Sequence, residues 1–106
     1  MPQADLPERV RTALKRTRGV VEKKMFGSTA FLVRGKLCVG ARKERIMCRI
    51  DPEFHDQAVK RRGCTTMVMK GRVYRGYVRV ARTALRGKRE LDYWIGLALD
   101  YNRRLK

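Results

Sequence analysis

Apolar and polar residues alternate with two different periods along this chain. Three apolar runs, at residues 29–33, 37–41 and 46–50, are separated by short polar breaks at 34–36 and 42–45. Short apolar runs joined by tight polar turns are typical of an antiparallel meander. Because successive side chains of a strand point to opposite faces, one face of this meander is predicted to be a continuous apolar surface.

A second β region follows later in the chain. Residues 66–69 and 73–80 flank a turn at 70–72 and predict a further hairpin. Residues 20–24 are predicted to form only a short extended segment ahead of the meander.

Three segments carry helix signals. Asp5 is a good N-cap for a first helix that ends before Gly19, because an aspartate can accept a hydrogen bond from the first turn. Asp51 is the equivalent N-cap of a second helix, which is expected to reach about Arg62. Residues 87–104 repeat apolar side chains at helical spacing, so a third helix is predicted to dock one face on the sheet.

The order of these elements, α-β-β-β-α-β-β-α, predicts one α+β domain over residues 1–106. An antiparallel sheet of about five strands is expected, with the helices on one face, which gives a two-layer fold. A length of 106 residues and an apolar content of 43% are sufficient for a single core.

The net charge indicates more about the partners of this chain than its apolar content does. Lys and Arg number 27 against 10 Asp and Glu, which gives a net charge of +17. Such an excess attracts polyanions, although a solvated basic surface without a specific role is the alternative interpretation. No acidic residue occurs between Asp56 and Glu90, so the basic residues of this interval are expected to form one electropositive surface if their elements are neighbours. The candidate nucleic-acid contacts are Arg61, Arg62, Arg72, Arg75, Tyr77, Arg79, Arg82, Arg86, Lys88 and Arg89.

Three of these candidates, Arg75, Tyr77 and Arg79, alternate along one predicted strand. An Arg-Tyr-Arg row on an exposed sheet face suits phosphate contact combined with base stacking. The alternative is a half-buried tyrosine covered by arginine stems at a sheet edge. The second interpretation is slightly favoured, because the paired aromatic residues of an RNA-binding sheet are missing from the motif.

A turn at Met25, Phe26 and Gly27 offers another candidate surface. Met25 and Phe26 could anchor a protein partner, because both residue types are frequent interface anchors. The favoured alternative is that both side chains close the end of the sheet while Gly27 supplies a positive φ.

Few residues are candidates for covalent, metal or acid–base chemistry. The three cysteines are widely spaced and odd in number, which is typical of reduced thiols. Cys38 and Cys48 are predicted on opposite faces of the meander and therefore unpaired. His55, the single histidine, is predicted at the surface of the second helix, and no metal-binding spacing occurs. We therefore expect a non-enzymatic protein with no catalytic residue, no metal and no cofactor.

The beginning of the chain lacks the pattern of a secretory signal, and no apolar run approaches the roughly 20 residues of a membrane-spanning helix. A cytoplasmic protein without membrane insertion is therefore expected.

Several short motifs resemble the N-terminal domain of TfoX-type competence regulators. They are KMFG at 24–27, AF at 30–31, GK at 35–36, VG at 39–40, MCRI at 47–50, KGR at 70–72 and GYV at 76–78. The resemblance extends over residues 8–104 and implies a compact α+β fold with a regulatory, competence-linked role. It implies no catalytic residue, and the chain is expected to lack the second, C-terminal domain of full TfoX-type proteins.

Two functions are compatible with these patterns. In the first, the chain is a regulator whose basic surface binds nucleic-acid phosphate with little sequence preference. In the second, it is a protein-interaction or adaptor module that forms a homodimer or binds an acidic partner, with no nucleic-acid role. Salt distinguishes the two, because phosphate binding weakens steeply as ionic strength rises and binding to an apolar interface does not.

Overall fold

A computed structural model describes residues 5–25 and 27–105 of the chain. The helices are α1 (Leu6–Ala13), α2 (His55–Ala58) and α3 (Lys88–Arg104), and 3₁₀ turns precede α2 at Pro52–Phe54 and α3 at Arg82–Ala84. The strands are β1 (Val20–Met25), β2 (Ser28–Val33), β3 (Lys36–Ala41), β4 (Arg45–Arg49), β5 (Cys64–Met69) and β6 (Arg72–Ala81). The observed order contains every predicted element and one additional strand, β1.

The six strands of the described residues form one antiparallel sheet in the order β1-β2-β3-β4-β6-β5. The helices pack against this sheet, so the predicted α+β class is confirmed. The additional strand pairs with β2 along its whole length, from Val20 opposite Val33 to Met25 opposite Ser28. Residues 21–24 of this edge strand are exposed, so β1 lacks the apolar alternation by which a strand is predicted.

The core lies between the sheet and the two longer helices, α1 and α3. Its members are all buried and come from both layers, as the spacing of apolar residues in α3 predicts. On the sheet they include Phe31, Val39, Ile46, Cys48, Val78 and Val80, and on the helices Leu6, Val10, Leu91, Trp94, Ile95 and Ala98.

Side-chain caps determine where the first two helical segments begin. Asp5 accepts a hydrogen bond from a backbone N–H of the following turn at 3.0 Å, and Asp51 does the same at 2.9 Å, which confirms both predicted N-caps. The second helix, however, ends at Ala58 and does not reach Arg62. Residues 60–62 are cationic and exposed, so they provide no apolar side chain that would hold a longer helix on the core.

Val39 lies opposite Cys48, so these two residues share the face of the meander that packs on the core. Cys38 was predicted on the other face, but the register shift between β2 and β3 occurs at this residue, and Cys38 is fully buried. Cys38, Cys48 and Cys64 are free thiols, as predicted. Burial raises the pKa of Cys38 and Cys64 to about 11 and also raises that of Cys48, which disfavours the reactive thiolate.

His55 is buried, so its predicted surface position is wrong. The backbone N–H of Gly76 donates to Nδ1 of His55 at 3.0 Å, and Nε2 lies 3.1 Å from the hydroxyl of Thr66. Gly76 has a φ of 91°, and a side chain there would crowd Pro52. Desolvation by burial, followed by the charge of Arg75, holds the pKa of His55 below its ordinary value. The neutral imidazole thus joins α2 to β5 and β6.

Candidate nucleic-acid interface

Three of the predicted basic residues line one cleft between the turn after α2 and the start of α3. We call it the arginine cleft, after Arg61, Arg62 and Arg86, and its volume is about 680 Å³. Its other lining residues are Thr83, Ala84, Glu90 and Trp94.

Backbone contacts bring these arginines together although they are distant in sequence. The N–H of Cys64 donates to the carbonyl of Arg61 at 3.1 Å, and the N–H of Ala81 donates to the carbonyl of Gly63 at 2.9 Å. Gly63 has a φ of 79°, and a Cβ there would collide with the methyl group of Ala84. The absence of a side chain at this glycine therefore allows the turn after α2 to lie against the 3₁₀ turn before α3.

The three arginines differ in how far they are engaged by other residues. The guanidinium carbon of Arg61 lies 4.0 Å from the ring centroid of Tyr93, in a cation–π contact. Arg62 and Arg86 are exposed, and neither forms an ion pair with another described residue. Two guanidinium groups are therefore available to a phosphate, which arginine can bind through two parallel hydrogen bonds.

The first turn of α3 adds two cations beside the cleft, together with the acidic Glu90 that lines it. Its N-cap, Gly87, has no side chain that could accept a hydrogen bond, and the carboxylate of Glu90 folds back toward this glycine. Lys88 and Arg89 occupy the first two helical positions, where the positive end of the helix dipole disfavours cations. A bound anion would relieve this repulsion and contact the open N–H groups of the turn.

Three further candidates lie outside the lining of the cleft and are not equally available. Arg82 begins the 3₁₀ turn whose other two residues line the cleft. Arg72 lies at the exposed turn between β5 and β6. Arg75 forms a two-point ion pair with Asp56 of α2, and both N–O distances are 3.1 Å. A ligand would therefore have to compete with a carboxylate for Arg75.

Tyr77 and Arg79 lie on the sheet face that points away from the core, because they alternate in β6 with the buried Val78. Arg75 does not continue this row, since the positive φ of Gly76 interrupts the regular strand. The structure therefore divides the predicted surface into the arginine cleft and a separate row on the open sheet face.

Arg79 belongs to a second cationic group that sequence reasoning missed. Desolvation, followed by the charges of Arg45 and Arg42, lowers the pKa of Arg79. Tyr77 is half-buried, and the guanidinium carbon of Arg49 lies 5.6 Å from its ring centroid, so this ring is covered by an arginine. Neither neighbourhood could be recognised in the sequence, because β4 and β6 are paired across an intervening helix and strand.

The predicted partner contacts Met25 and Phe26 lie outside the described residues, which exclude Phe26 and the side chain of Met25. Among residues 5–25 and 27–105, no group of His, Cys, Asp and Glu side chains is arranged to hold a metal ion. None of the helices in that part of the chain has the length and apolar character needed to cross a membrane.

The fold and the cleft define a small basic α+β domain in which an open antiparallel sheet carries helices and a group of arginines at the start of the last helix. The chain belongs to the TfoX N-terminal domain family, whose model matches residues 12–101. This match confirms the resemblance carried by the short motifs and indicates a regulatory, competence-related domain. The searches of curated proteins and of solved structures gave no significant match.

Proposed function

We propose that this chain is a non-enzymatic regulatory domain that binds nucleic-acid phosphate through the arginine cleft. The observation that carries the proposal is the meeting of Arg61, Arg62 and Arg86 beside a helix start that already bears Lys88 and Arg89. Arginine is the residue type best suited to phosphate, because its planar fork matches two phosphate oxygens.

Binding is expected to have little sequence preference. The longest helix, α3, buries one face in the core, and the cleft lies at its first turn, where backbone N–H groups suit a phosphate and not a base edge. Contacts of this kind position a protein on a nucleic acid without distinguishing one base pair from another.

The absence of an enzymatic role is part of the proposal and is supported by the state of the nucleophilic and basic side chains. His55 is buried and its two ring nitrogens face Gly76 and Thr66. Burial raises the pKa values of all three cysteines, so none is an activated nucleophile. These groups are better explained by folding than by catalysis.

The proposal is tested by the anisotropy of labelled duplex DNA, single-stranded DNA and RNA at about 50 and 200 mM salt, a range in which several phosphate contacts change affinity by orders of magnitude. The double variant Arg62→Ala/Arg86→Ala is expected to bind all three probes more weakly. It should also lower the slope of log affinity against log salt by about two, since two phosphate contacts are removed.

A matched control removes the same charge elsewhere. Lys23 and Lys24 are exposed on the edge strand β1, at the other end of the sheet from β5. Lys23→Ala/Lys24→Ala is expected to retain most of the affinity. Equal losses in the two double variants would assign the binding to net charge and reject the arginine cleft as the site.

A further inference from the structure

A groove between α1 and α3 is a second surface feature, which adjoins the arginine cleft and shares Arg86 with it. Its volume is about 930 Å³. Its lining includes the polar Thr12 and a set of apolar or side-chain-free positions that we call its floor: Ala13 on α1, and Leu91, Ile95, Gly96 and Leu99 on α3. α1 has 8 residues and α3 has 17, so α1 covers only part of the longer helix.

Gly96 lines this groove and adds no side chain to it. It lies in the interior of α3, where glycine costs about 1 kcal/mol relative to alanine. Gly96 is exposed, and a Cβ at this position would meet no described atom within 4 Å apart from its chain neighbours and the backbone of its own helix. The packing of the described residues therefore gives no reason for a glycine here. A second helix that lies in the groove would give one, because a glycine lets two helix backbones approach closely.

The rim of the groove is strongly basic. Its cations are Arg9, Lys15, Arg16, Arg86 and Lys88. Two of them are engaged, since Arg9 donates to the carbonyl of Leu85 at 2.5 Å and Lys88 pairs with Asp92 at 2.7 Å.

The other three rim cations, Lys15, Arg16 and Arg86, are exposed. None of the three forms an ion pair with another described residue. An occupant of the groove must therefore present an apolar centre and negative flanks.

We propose that the groove binds an amphipathic helix of a partner protein whose apolar stripe is flanked by Asp or Glu. Such a helix places apolar side chains over the floor, carboxylates beside Lys15, Arg16 and Arg86, and its polar back in water. A second copy of this chain fits poorly, because its net charge of +17 would repel the basic rim. A lipid acyl chain also fits less well, because the groove is open and would leave one side of that chain in water.

The proposal can be tested with three labelled synthetic peptides of about 18 residues, or five helical turns. The first carries leucines at helical spacing with glutamates on both flanks. The second keeps the leucines and has lysines on the flanks, and the third has the composition of the first in scrambled order. Fluorescence anisotropy is expected to show at least tenfold tighter binding of the first peptide than of either control.

Two variants connect the binding to the groove. Gly96→Leu fills the groove and replaces a poor helix former by a good one, so a loss of binding of about tenfold or more would not reflect unfolding. Arg103→Leu places the same side chain on an exposed position of α3 that does not line the groove, and it should bind the acidic peptide normally. Lys15→Glu/Arg16→Glu should weaken binding of the acidic peptide and strengthen that of the lysine-flanked peptide.

Several results would overturn the proposal. Two concern the peptides: equal binding of all three, or binding of the acidic peptide that Gly96→Leu does not change. A dimer in solution that Gly96→Leu abolishes would make a second copy of the chain the occupant. Binding to phosphatidylglycerol vesicles that depends on Gly96, while peptide binding does not, would make a lipid surface the occupant. Arg86 lines both surfaces, but Arg62→Ala alters only the arginine cleft and leaves every residue of the groove unchanged, so it tests nucleic-acid binding separately. Failure of one function is therefore distinguishable from failure of the other.

Discussion

His55 shows how the role of a single residue depends on a contact distant in sequence. A histidine next to exposed polar residues at the start of a helix is normally solvated, yet here the imidazole is buried against β5 and β6. Gly76 explains the difference, because its N–H is a buried donor and Nδ1 of His55 is the acceptor that satisfies it at 3.0 Å. Only the neutral imidazole can accept this hydrogen bond while donating from Nε2 to Thr66.

The protonation of His55 should therefore link stability to pH. Its pKa is held below 6.5 in the folded chain by desolvation and by Arg75, while Asp56 opposes this shift. The unfolded chain consequently takes up a proton at a higher pH than the folded chain does. The stability that neutral His55 contributes is complete above about pH 6.5 and is lost as the pH falls toward the folded pKa. Denaturant unfolding followed by the fluorescence of Trp94, the one tryptophan, measures this change.

His55→Asn is the variant that isolates this effect. At pH 7 it should lower the free energy of unfolding by about 1–3 kcal/mol, because the buried N–H of Gly76 loses its acceptor geometry. Between about pH 5 and 7 its stability should change less with pH than that of the parent, since His55 is the single histidine. Parallel pH profiles for the two proteins would show that another group carries the dependence.

At the scale of an element, the start of α3 combines features that are unfavourable for a helix alone. A glycine is the N-cap, two cations follow it, and the first turn receives no side-chain cap. The two cations oppose the helix dipole and the turn has no side-chain cap, and both features favour a bound phosphate, whereas Glu90 of the same turn acts in the opposite direction. The proposed function accounts for the combination.

Substitutions of the N-cap residue Gly87 distinguish the effect of a capping hydrogen bond on stability from the effect of a negative charge on phosphate binding. Gly87→Asn should stabilise the protein by a few tenths of a kcal/mol, because its side chain can accept a hydrogen bond from the first turn. Gly87→Asp should stabilise it less, because its carboxylate would lie beside that of Glu90. A Cβ at Gly87 meets only the flexible carboxylate end of Glu90, so the change is sterically tolerated. The aspartate variant should bind nucleic acid several-fold more weakly, because its carboxylate lies where a phosphate would bind, whereas the neutral asparagine variant should not. Equal affinities of the two variants would place the phosphate elsewhere.

Elements that bury an apolar face could be predicted, and elements that do not were missed or shortened. The spacing of Leu91, Trp94 and Ile95 defined α3, and the N-caps Asp5 and Asp51 defined two helix starts. The edge strand β1 was not predicted as a full strand, because its exposed residues show no alternation. The second helix was predicted too long, because a good start signal does not indicate where packing ceases.

For the molecule as a whole, the sequence predicts which segments supply the basic surface, but it does not predict how the fold arranges their side chains. The interval without acidic residues contains Arg61, Arg62 and Arg86, which the fold brings to one cleft. Whether Arg75 and Arg79 share a face depends on the interruption at Gly76. The basic groove depends on the packing of α1 against α3, two elements near opposite ends of the chain, and short-range patterns contain no information on such a contact.

The net charge itself should make stability depend on salt. A charge of +17 is confined to a fold with a radius of gyration of 12.9 Å, so repulsion acts across the whole molecule. Each ion pair among the described residues has at least one exposed partner, and surface pairs of this kind contribute about 0–1 kcal/mol each. Raising NaCl from about 20 to about 200 mM should therefore screen more repulsion than attraction. A gain of about 1 kcal/mol would raise the thermal midpoint by about 4–8 °C.

Sulfate distinguishes general screening from a specific anion site. At equal ionic strength, sulfate should raise the thermal midpoint more than chloride does, partly because it is excluded from protein surfaces and partly because it would occupy the arginine cleft. The contribution from sulfate bound in the cleft should disappear in Arg62→Ala/Arg86→Ala, which keeps the contribution from exclusion. The control Lys23→Ala/Lys24→Ala should keep both contributions. A midpoint that falls as NaCl rises would contradict the dominance of repulsion. An equal sulfate increment in the two double variants would count against an anion site in the cleft, because both variants remove two positive charges and only one changes the cleft.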